Sequence, residues 1–109
     1  MGNKKSKNAK VGEIWSIRGS ESKGHPSIIT KKRKKNEIEH ISITHSPKTR
    51  NMKNIKLRKA PNIEDPRDNY ILPKVLKTNA NNLHRKRPEM KIRDPIDKSI
   101  IRNIKKKRK

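Results

Sequence analysis

The side chains of this sequence that can do chemistry are its histidines, its hydroxyl groups and a large excess of cations. Cysteine is absent, which excludes disulfides and thiolate metal sites. His40 and His45 lie near each other in the sequence, but no carboxylate–histidine arrangement of the zincin type accompanies them, so we expect no metal site. His25 precedes Pro26, and a histidine at such a position is by default a surface loop residue. Histidine nevertheless exchanges a proton readily near neutral pH, so His25 is a candidate for chemistry.

The charge balance indicates a polyanionic partner. The 109 residues include 32 Lys plus Arg and 10 Asp plus Glu, which gives a net charge of +22. Such a field attracts polyanions, and nucleic acid is the leading class. With one Trp, one Tyr and no Phe, the chain lacks an aromatic platform for stacking bases, so we expect recognition through phosphate contacts and hydrogen bonds. The basic runs 31–35 and 105–109 would add affinity without sequence choice.

The first six residues fit the loose pattern for N-myristoylation and are followed by further lysines. An ordinary solvated tail has the same composition, so both interpretations stay open. No apolar segment of the secretory type follows the first lysines, and no run has the length of a membrane span. We therefore expect a cytoplasmic protein.

Short apolar segments predict a β-rich domain. Hydrophobic residues make up only 27% of the chain, which is near the composition of disordered proteins, but the fifteen isoleucines are concentrated in segments with regular spacing. In the third segment Ile38 is out of phase with Ile41 and Ile43, which indicates a bulge. The predicted strands cover residues 11–18, 26–30, 37–44, 54–58 and 70–76, the last interrupted by Pro73.

The C-terminal segment has the pattern of an amphipathic helix. Asp94 suits the N-cap, Pro95 suits the first helical position, and Asp97 places negative charge in the first turn. Four isoleucines then fall on one predicted helical face, namely Ile96, Ile100, Ile101 and Ile104. Burial of each isoleucine side chain would contribute about 1.5 to 3 kcal/mol, and this free energy would dock the helix on the strands.

Together these elements predict a mainly β (α+β) fold, a small SH3-like barrel of about five to six strands with a C-terminal helix. The expected organisation is a flexible basic tail over residues 1–10, one domain over 11–104 and a basic tail over 105–109.

Four segments in this order resemble the PemK/MazF-like endoribonuclease toxins of toxin–antitoxin systems. They are residues 12–15 (Gly-Glu-Ile-Trp), 23–29 (Lys-Gly-His-Pro-Ser-Ile-Ile), 41–46 (Ile-Ser-Ile-Thr-His-Ser) and 71–83, which contains Leu-Lys-Thr at 76–78. The second segment has His25 where the family usually has Arg. The likeness covers about residues 11–104.

The resemblance implies a metal-independent ribonuclease without a cofactor, with His25 and Thr44 as the catalytic residues. In such enzymes the RNA 2′-hydroxyl attacks the neighbouring phosphate, which requires a proton acceptor, a proton donor and cationic stabilisation. The resemblance also implies a homodimer and an acidic antitoxin as partner. The candidate RNA-binding residues are Arg18, Lys23, Ser46, Lys48, Arg50, Lys77 and Thr78.

A second interpretation stays open. A noncatalytic nucleic-acid-binding protein could keep the same fold and use its basic tails as electrostatic clamps. Histidine lacks the permanent charge and bidentate geometry of arginine, so His25 favours this alternative modestly. Thr44 can also be explained as a β-branched residue at a strand end.

Overall fold

A computed structural model describes residues 9–18, 26–65 and 67–107. Nine strands, one 3₁₀ turn and one α-helix make up this part of the chain. The strands are β1 Ile14–Ile17, β2 Pro26–Lys32, β3 Glu37–Thr44, β4 Lys48–Thr49, β5 Met52–Lys53, β6 Ile55–Lys56, β7 Tyr70–Ile71, β8 Leu76–Asn79 and β9 Leu83–Lys86. The 3₁₀ turn is Ala80–Asn82, and helix α1 is Pro95–Lys107.

Seven of these strands form one antiparallel sheet. Its order is β6-β7-β3-β2-β1-β9, and β8 pairs with the first half of β3. In the centre, Ile28 of β2 pairs with Ile14 of β1 and with Ile41 of β3. Strands β4 and β5 form a separate two-stranded hairpin. The predicted mainly β class with one C-terminal helix is confirmed.

The sheet is strongly curled. Strands β8 and β9 lie at opposite edges of the five-strand path β8-β3-β2-β1-β9, which in a flat sheet would separate them by about 19 Å. The chain crosses from Asn79 to Leu83 in four residue steps, which span at most about 14 Å. The intervening turn is hydrogen-bonded to both sides, from Ala80 N to Asn36 O (2.6 Å) and from Arg18 N to Asn82 O (2.8 Å). Closure of the expected barrel by strand pairing is not detected among the described residues, where the turn bridges the two edges of a curled sheet.

Strand β3 is buried on both faces, and this explains its apolar pattern. Ile41 and Ile43 belong to the core under helix α1, whereas Ile38 belongs to the core around Trp15 on the other face. Ile38 is therefore on the opposite face from the other two. The bulge lies in β2 and not in β3 as expected. The pairing register of β2 with β3 shifts between Ile29 and Lys31, so the extra residue is in β2.

The basic run 31–35 begins at the end of β2 and continues into the hairpin connection to β3. Lys35 and Asn36 both have positive φ (59° and 64°), the combination that a type I′ hairpin turn requires. The side chains of this run are exposed. Arg33 does not simply point to solvent, because its guanidinium binds Glu37 at 3.0 Å and the buried Glu39 at 2.6 Å.

Helix α1 begins as its local chemistry predicts. Asp94 Oδ1 accepts the backbone N–H groups of Ile96 (2.8 Å) and Asp97 (3.2 Å), and Pro95 occupies the first helical position. The buried face differs from the prediction, because Ile101 and Ile104 are buried but Ile96 is 48% exposed.

Asp97 explains the changed face. Its side chain is 1% exposed, and its carboxylate accepts the backbone N–H groups of Arg58 (2.8 and 3.1 Å) and Lys59 (3.2 Å). This contact turns the Asp97 side of the helix towards the sheet and leaves Ile96 outside.

The ordered structure extends past the expected domain limits at both ends. Ala9 falls in the expected N-terminal tail, but it is fully buried against the Trp15 core. Helix α1 continues to Lys107, into the expected C-terminal tail. No helix in the described parts of the chain combines the length and hydropathy needed to cross a membrane.

Candidate nucleic-acid interface

The end of β1, the start of β2 and the end of β3 lie side by side at one end of these strands. Ser16 pairs with Pro26, and Ser27 pairs with Ser42, so Thr44 lies two residues further along β3 at this end. A pocket of about 110 Å³ opens there, which we call the Thr44 pocket. It is lined by Pro26, Ile43, Thr44, His45, Asn62, Asp65, Arg67, Asn69, Arg87 and Met90.

The structure places one of the two expected catalytic residues at this pocket. Thr44 Oγ1 accepts the backbone N–H of Ser46 at 3.2 Å, and a hydroxyl that accepts one hydrogen bond can still donate its own proton. His25 lies outside the described residues. Its chain neighbour Pro26 lines the same pocket as Thr44.

An acidic and a basic side chain that line the Thr44 pocket are hydrogen-bonded to each other. Arg67 donates from Nε to Asp65 Oδ1 (2.9 Å) and from Nη2 to Asp65 Oδ2 (2.8 Å), and its backbone N–H also donates to Oδ1 (3.2 Å). These hydrogen bonds from Arg67 lower the pKa of Asp65 to about 2. His45 Nε2 lies 3.6 Å from Asp65 Oδ2, an ion-pair distance when the imidazole is protonated.

Arg87 reaches the Thr44 pocket from the chain after β9. Its backbone N–H donates to Ile14 O at 2.8 Å, which extends the pairing between β9 and β1. Its guanidinium donates from Nη1 to Ser16 Oγ (3.0 Å) and from Nε to Glu89 Oε2 (2.8 Å). A second guanidinium is thus fixed at the pocket by contacts on two sides.

A hairpin that carries several cations begins directly after the Thr44 pocket. We call residues 46–54 the basic hairpin, because they include Lys48, Arg50 and Lys53. Arg50 has φ of 54° at the tight turn. Asn54 holds the base of the hairpin, since Nδ2 donates to Ser46 O (3.0 Å) and to Thr49 Oγ1 (2.8 Å).

Three of the predicted RNA-binding residues are brought together in this hairpin. Ser46 Oγ donates to Lys48 O at 2.7 Å, so its hydroxyl shapes the hairpin, while the side chains of Lys48 and Arg50 are exposed. Arg18 follows the end of β1 and is exposed, and its backbone N–H donates to Asn82 O in the turn after β8 (2.8 Å). Lys23 lies outside the described residues.

The other two candidate RNA-binding residues that the structure describes, Lys77 and Thr78, do not lie at the end of β3 that carries Thr44. They lie in β8 and pair with Glu39 and Ile38 at the start of β3. Ile38 and Thr44 are six residues apart in one strand, a distance of about 20 Å. Any phosphate contact from Lys77 would belong to a different part of the surface.

A buried polar row connects β2 to β3 behind the Thr44 pocket. His40 Nδ1 lies 3.0 Å from Ser27 Oγ, which in turn lies 3.1 Å from Ser42 Oγ. All three residues are buried, and burial lowers the pKa of His40 to about 4. The imidazole is therefore neutral at physiological pH, and its environment is that of a structural group.

A larger cleft of about 750 Å³ lies between the sheet and helix α1. Its floor is apolar and includes Ile14, Ile28 and Ile101. Cations surround it, namely Lys10, Lys86, Arg87, Lys91, Lys98 and Lys105, and one of them, Lys86, binds the cleft's Glu13 at 2.8 Å. Arg87 lines both this cleft and the Thr44 pocket.

Sequence reasoning missed His45, Asp65, Arg67 and Arg87 as parts of the site. The sequence of residues 61–66 is turn-rich, and the closely spaced acidic and basic residues at 65 and 67 are the available signal of a paired turn. Nothing local marks Arg87, because its position depends on the pairing of β9 with β1.

Comparisons with known proteins give no match, neither to a family model nor to a curated protein. The resemblance to PemK/MazF-like toxins therefore stays a prediction from the four sequence segments. The Thr44 pocket and the basic hairpin are the structural basis on which a function can be proposed.

Proposed function

We propose that this protein binds single-stranded RNA along the basic hairpin and cleaves it at the Thr44 pocket without a metal ion, as an endoribonuclease toxin of a toxin–antitoxin system would. The observation that carries the proposal is the composition of one small pocket. A hydroxyl, an imidazole and two guanidinium groups line it, from Thr44, His45, Arg67 and Arg87.

These groups match the needs of RNA cleavage by its own 2′-hydroxyl. The reaction needs a proton acceptor, a proton donor and cationic stabilisation of the pentacoordinate phosphorus. Arg67 and Arg87 supply fixed N–H donors with permanent charge, and Thr44 supplies a hydroxyl at the same pocket. The exposed cations of the neighbouring hairpin would hold the phosphates on either side of the reacting one.

The scarcity of aromatic residues, one Trp and one Tyr, is consistent with this mode of binding. Trp15 is 3% exposed and belongs to the core, so it is not available for stacking on a base. Contacts to phosphate and hydrogen bonds to base edges remain as the means of recognition. Affinity should therefore depend strongly on salt concentration.

A noncatalytic RNA-binding protein is the second candidate, and one observation favours it. Both guanidinium groups of the pocket are already paired with carboxylates, Arg67 with Asp65 and Arg87 with Glu89. The net positive charge at the pocket is therefore smaller than its two arginines suggest. The exposed cations of the hairpin are sufficient for binding even if the pocket does no chemistry.

The partners expected from the resemblance remain part of the proposal. A homodimer would place two Thr44 pockets along one RNA. An acidic antitoxin is supported by the excess of cations over the whole chain and around the cleft beside α1. With RNA as its substrate, the protein would act in the cytoplasm.

The test is to incubate the purified protein with a long single-stranded RNA in EDTA and to measure binding and cleavage separately. Thr44→Ala should lower the cleavage rate on the order of 100-fold and leave binding almost unchanged. Thr78→Ala is the matched control, a threonine in β8 beside the opposite end of β3, and should leave both unchanged. His25→Ala tests the residue that the resemblance places in the second motif.

The results separate the two candidates. Cleavage that depends on Thr44 supports the ribonuclease. Binding by the wild-type protein without cleavage supports the noncatalytic protein, and the absence of RNA binding at low salt refutes both.

A further inference from the structure

The Thr44 pocket is lined by a histidine and a carboxylate that lie within ion-pair distance of each other. We propose that His45 is the proton acceptor for the RNA 2′-hydroxyl and that Asp65 positions its imidazole, an inference that rests on the proposed RNA cleavage. The observation is that His45 Nε2 lies 3.6 Å from Asp65 Oδ2 beside Thr44. Neither residue belongs to the pair expected from the resemblance, His25 and Thr44.

Hydrogen bonds from Arg67 keep the carboxylate of Asp65 charged and hold its position. Two side-chain hydrogen bonds and one backbone hydrogen bond from Arg67 hold both of its oxygens. A carboxylate fixed in this way favours one orientation of the imidazole beside it and stabilises the imidazolium that forms on proton uptake. The same oxygen, Oδ2, receives Arg67 Nη2 and faces His45.

The imidazole of His45 keeps one nitrogen available. Nε2 is directed to Asp65, and Nδ1 has no hydrogen-bond partner among the described residues. The side chain of His45 is 43% exposed, so an RNA strand on the hairpin can reach it. Of the histidines that the structure describes, His40 is buried in the polar row and His84 lies exposed on the edge strand β9.

The chemical step balances without a further reactant. The 2′-hydroxyl proton passes to Nδ1 of His45 as the O2′–P bond forms. The P–O5′ bond breaks, the leaving 5′ oxygen takes a proton from water, and the imidazolium returns its proton to solvent. The products are a 2′,3′-cyclic phosphate and a 5′-hydroxyl, and Arg67 and Arg87, which line the same pocket, would stabilise the charge that develops on the phosphorus oxygens.

The charged groups that face His45 come from three elements. Asp65 and Arg67 lie on the connection between β6 and β7, Arg87 follows β9, and Thr44 precedes His45 at the end of β3. Because the imidazole must be neutral to accept a proton, cleavage by the wild-type protein should fall on the acid side of its pH profile.

The experiment compares two pairs of variants in the cleavage of a single-stranded RNA in EDTA. His45→Gln should lower kcat about 100-fold or more, with KM unchanged, and should remove the acid limb of the pH profile. His84→Gln is the matched control, an exposed strand histidine that should behave as wild type. His45→Ala should regain activity when free imidazole is added, which a merely structural histidine would not show.

Asp65→Asn should lower kcat without changing KM, and Asp65→Glu should restore part of the loss, as expected for a positioning residue. Asp68→Asn is its control, because Asp68 is 61% exposed, pairs with Lys56 and does not line the pocket. Circular dichroism and RNA binding by each variant establish that the fold is kept.

Each outcome decides between the proposals. Cleavage that His45→Gln leaves unchanged, or that imidazole does not restore in His45→Ala, overturns the role of His45 and leaves the proposed function intact. RNA that is bound but never cut by the wild-type protein overturns the nuclease and the role of His45 together.

Discussion

Acidification should destabilise this protein through one buried histidine. His40 is 3% exposed and its Nδ1 lies 3.0 Å from Ser27 Oγ in the polar row between β2 and β3. Burial lowers its pKa from 6.5 to about 4 in the folded protein. Between these two values the unfolded chain binds more protons than the folded one, so the free energy of unfolding falls as the pH falls.

The size of the effect depends on the gap between the two pKa values. The difference of 6.5 − 4, or about 2.5 units, corresponds to about 3 kcal/mol in total at about 1.4 kcal/mol for each unit. The contribution of neutral His40 to the free energy of unfolding is fully present above the pKa of the unfolded state and is lost between pH 6.5 and about 4. From pH 7 to pH 5 the loss should be about 2 kcal/mol. That is a large part of the ~5 to 15 kcal/mol that typically separates folded from unfolded proteins.

The measurement is urea unfolding at pH 7 and pH 5, monitored by the fluorescence of Trp15, which is the one tryptophan and is buried. His40→Asn keeps a polar group near the position of Nδ1 but cannot titrate, so its free energy of unfolding should change much less with pH. His84→Asn, which removes an exposed imidazole, should keep the wild-type dependence. Carboxyl groups ordinarily titrate near pH 4, mostly below the range between the two pH values of this measurement. Equal pH dependence in the wild type and in His40→Asn would refute the reasoning.

Two further substitutions test the Asp97 contact and the basic hairpin. Asp97→Ala removes the buried carboxylate that accepts two backbone N–H groups, and urea unfolding should show a loss of about 3 kcal/mol, whereas Asp68→Ala at an exposed ion pair should cost less than about 1 kcal/mol. Arg50→Ala on the basic hairpin should reduce the slope of log K against log salt for single-stranded RNA by about 0.7, while Lys77→Ala on β8 should leave it unchanged. The opposite ranking of the two cation variants would contradict the placement of RNA on the hairpin.

The elements that the sequence predicts well are those defined by local chemistry. Strand β3 has the predicted limits Glu37–Thr44, and all three of its isoleucines are buried, Ile41 and Ile43 on one face and Ile38 on the other. Helix α1 begins where Asp94 and Pro95 place it, since a cap and a first-turn proline act within a few residues. In both cases the deciding interactions are encoded by neighbours in the chain.

The rest depends on pairing between distant segments. Strand β9 has one buried side chain, Leu83, followed by His, Arg and Lys, so its sequence has no alternating apolar pattern. Its place beside β1 is what brings Arg87 to the Thr44 pocket. The exposure of Ile96 is likewise decided by a contact 39 residues away, where the carboxylate of Asp97 meets the backbone of Arg58.

The scarcity of carboxylates connects the fold to the proposed function. Several of the described ones join separate parts of the structure: Glu13 binds Lys86 of β9, Glu39 binds Arg33, and Asp97 holds the backbone after β6. These carboxylates take part in contacts within the fold. The chain has 32 cationic and 10 acidic residues, so the surplus of cations has no counterion within the chain. Repulsion among these cations opposes the compact state, so a bound polyanion both neutralises the surface and stabilises the fold. RNA on the basic hairpin should therefore raise the free energy of unfolding at low salt, and this gain should shrink as salt screens both the repulsion and the binding.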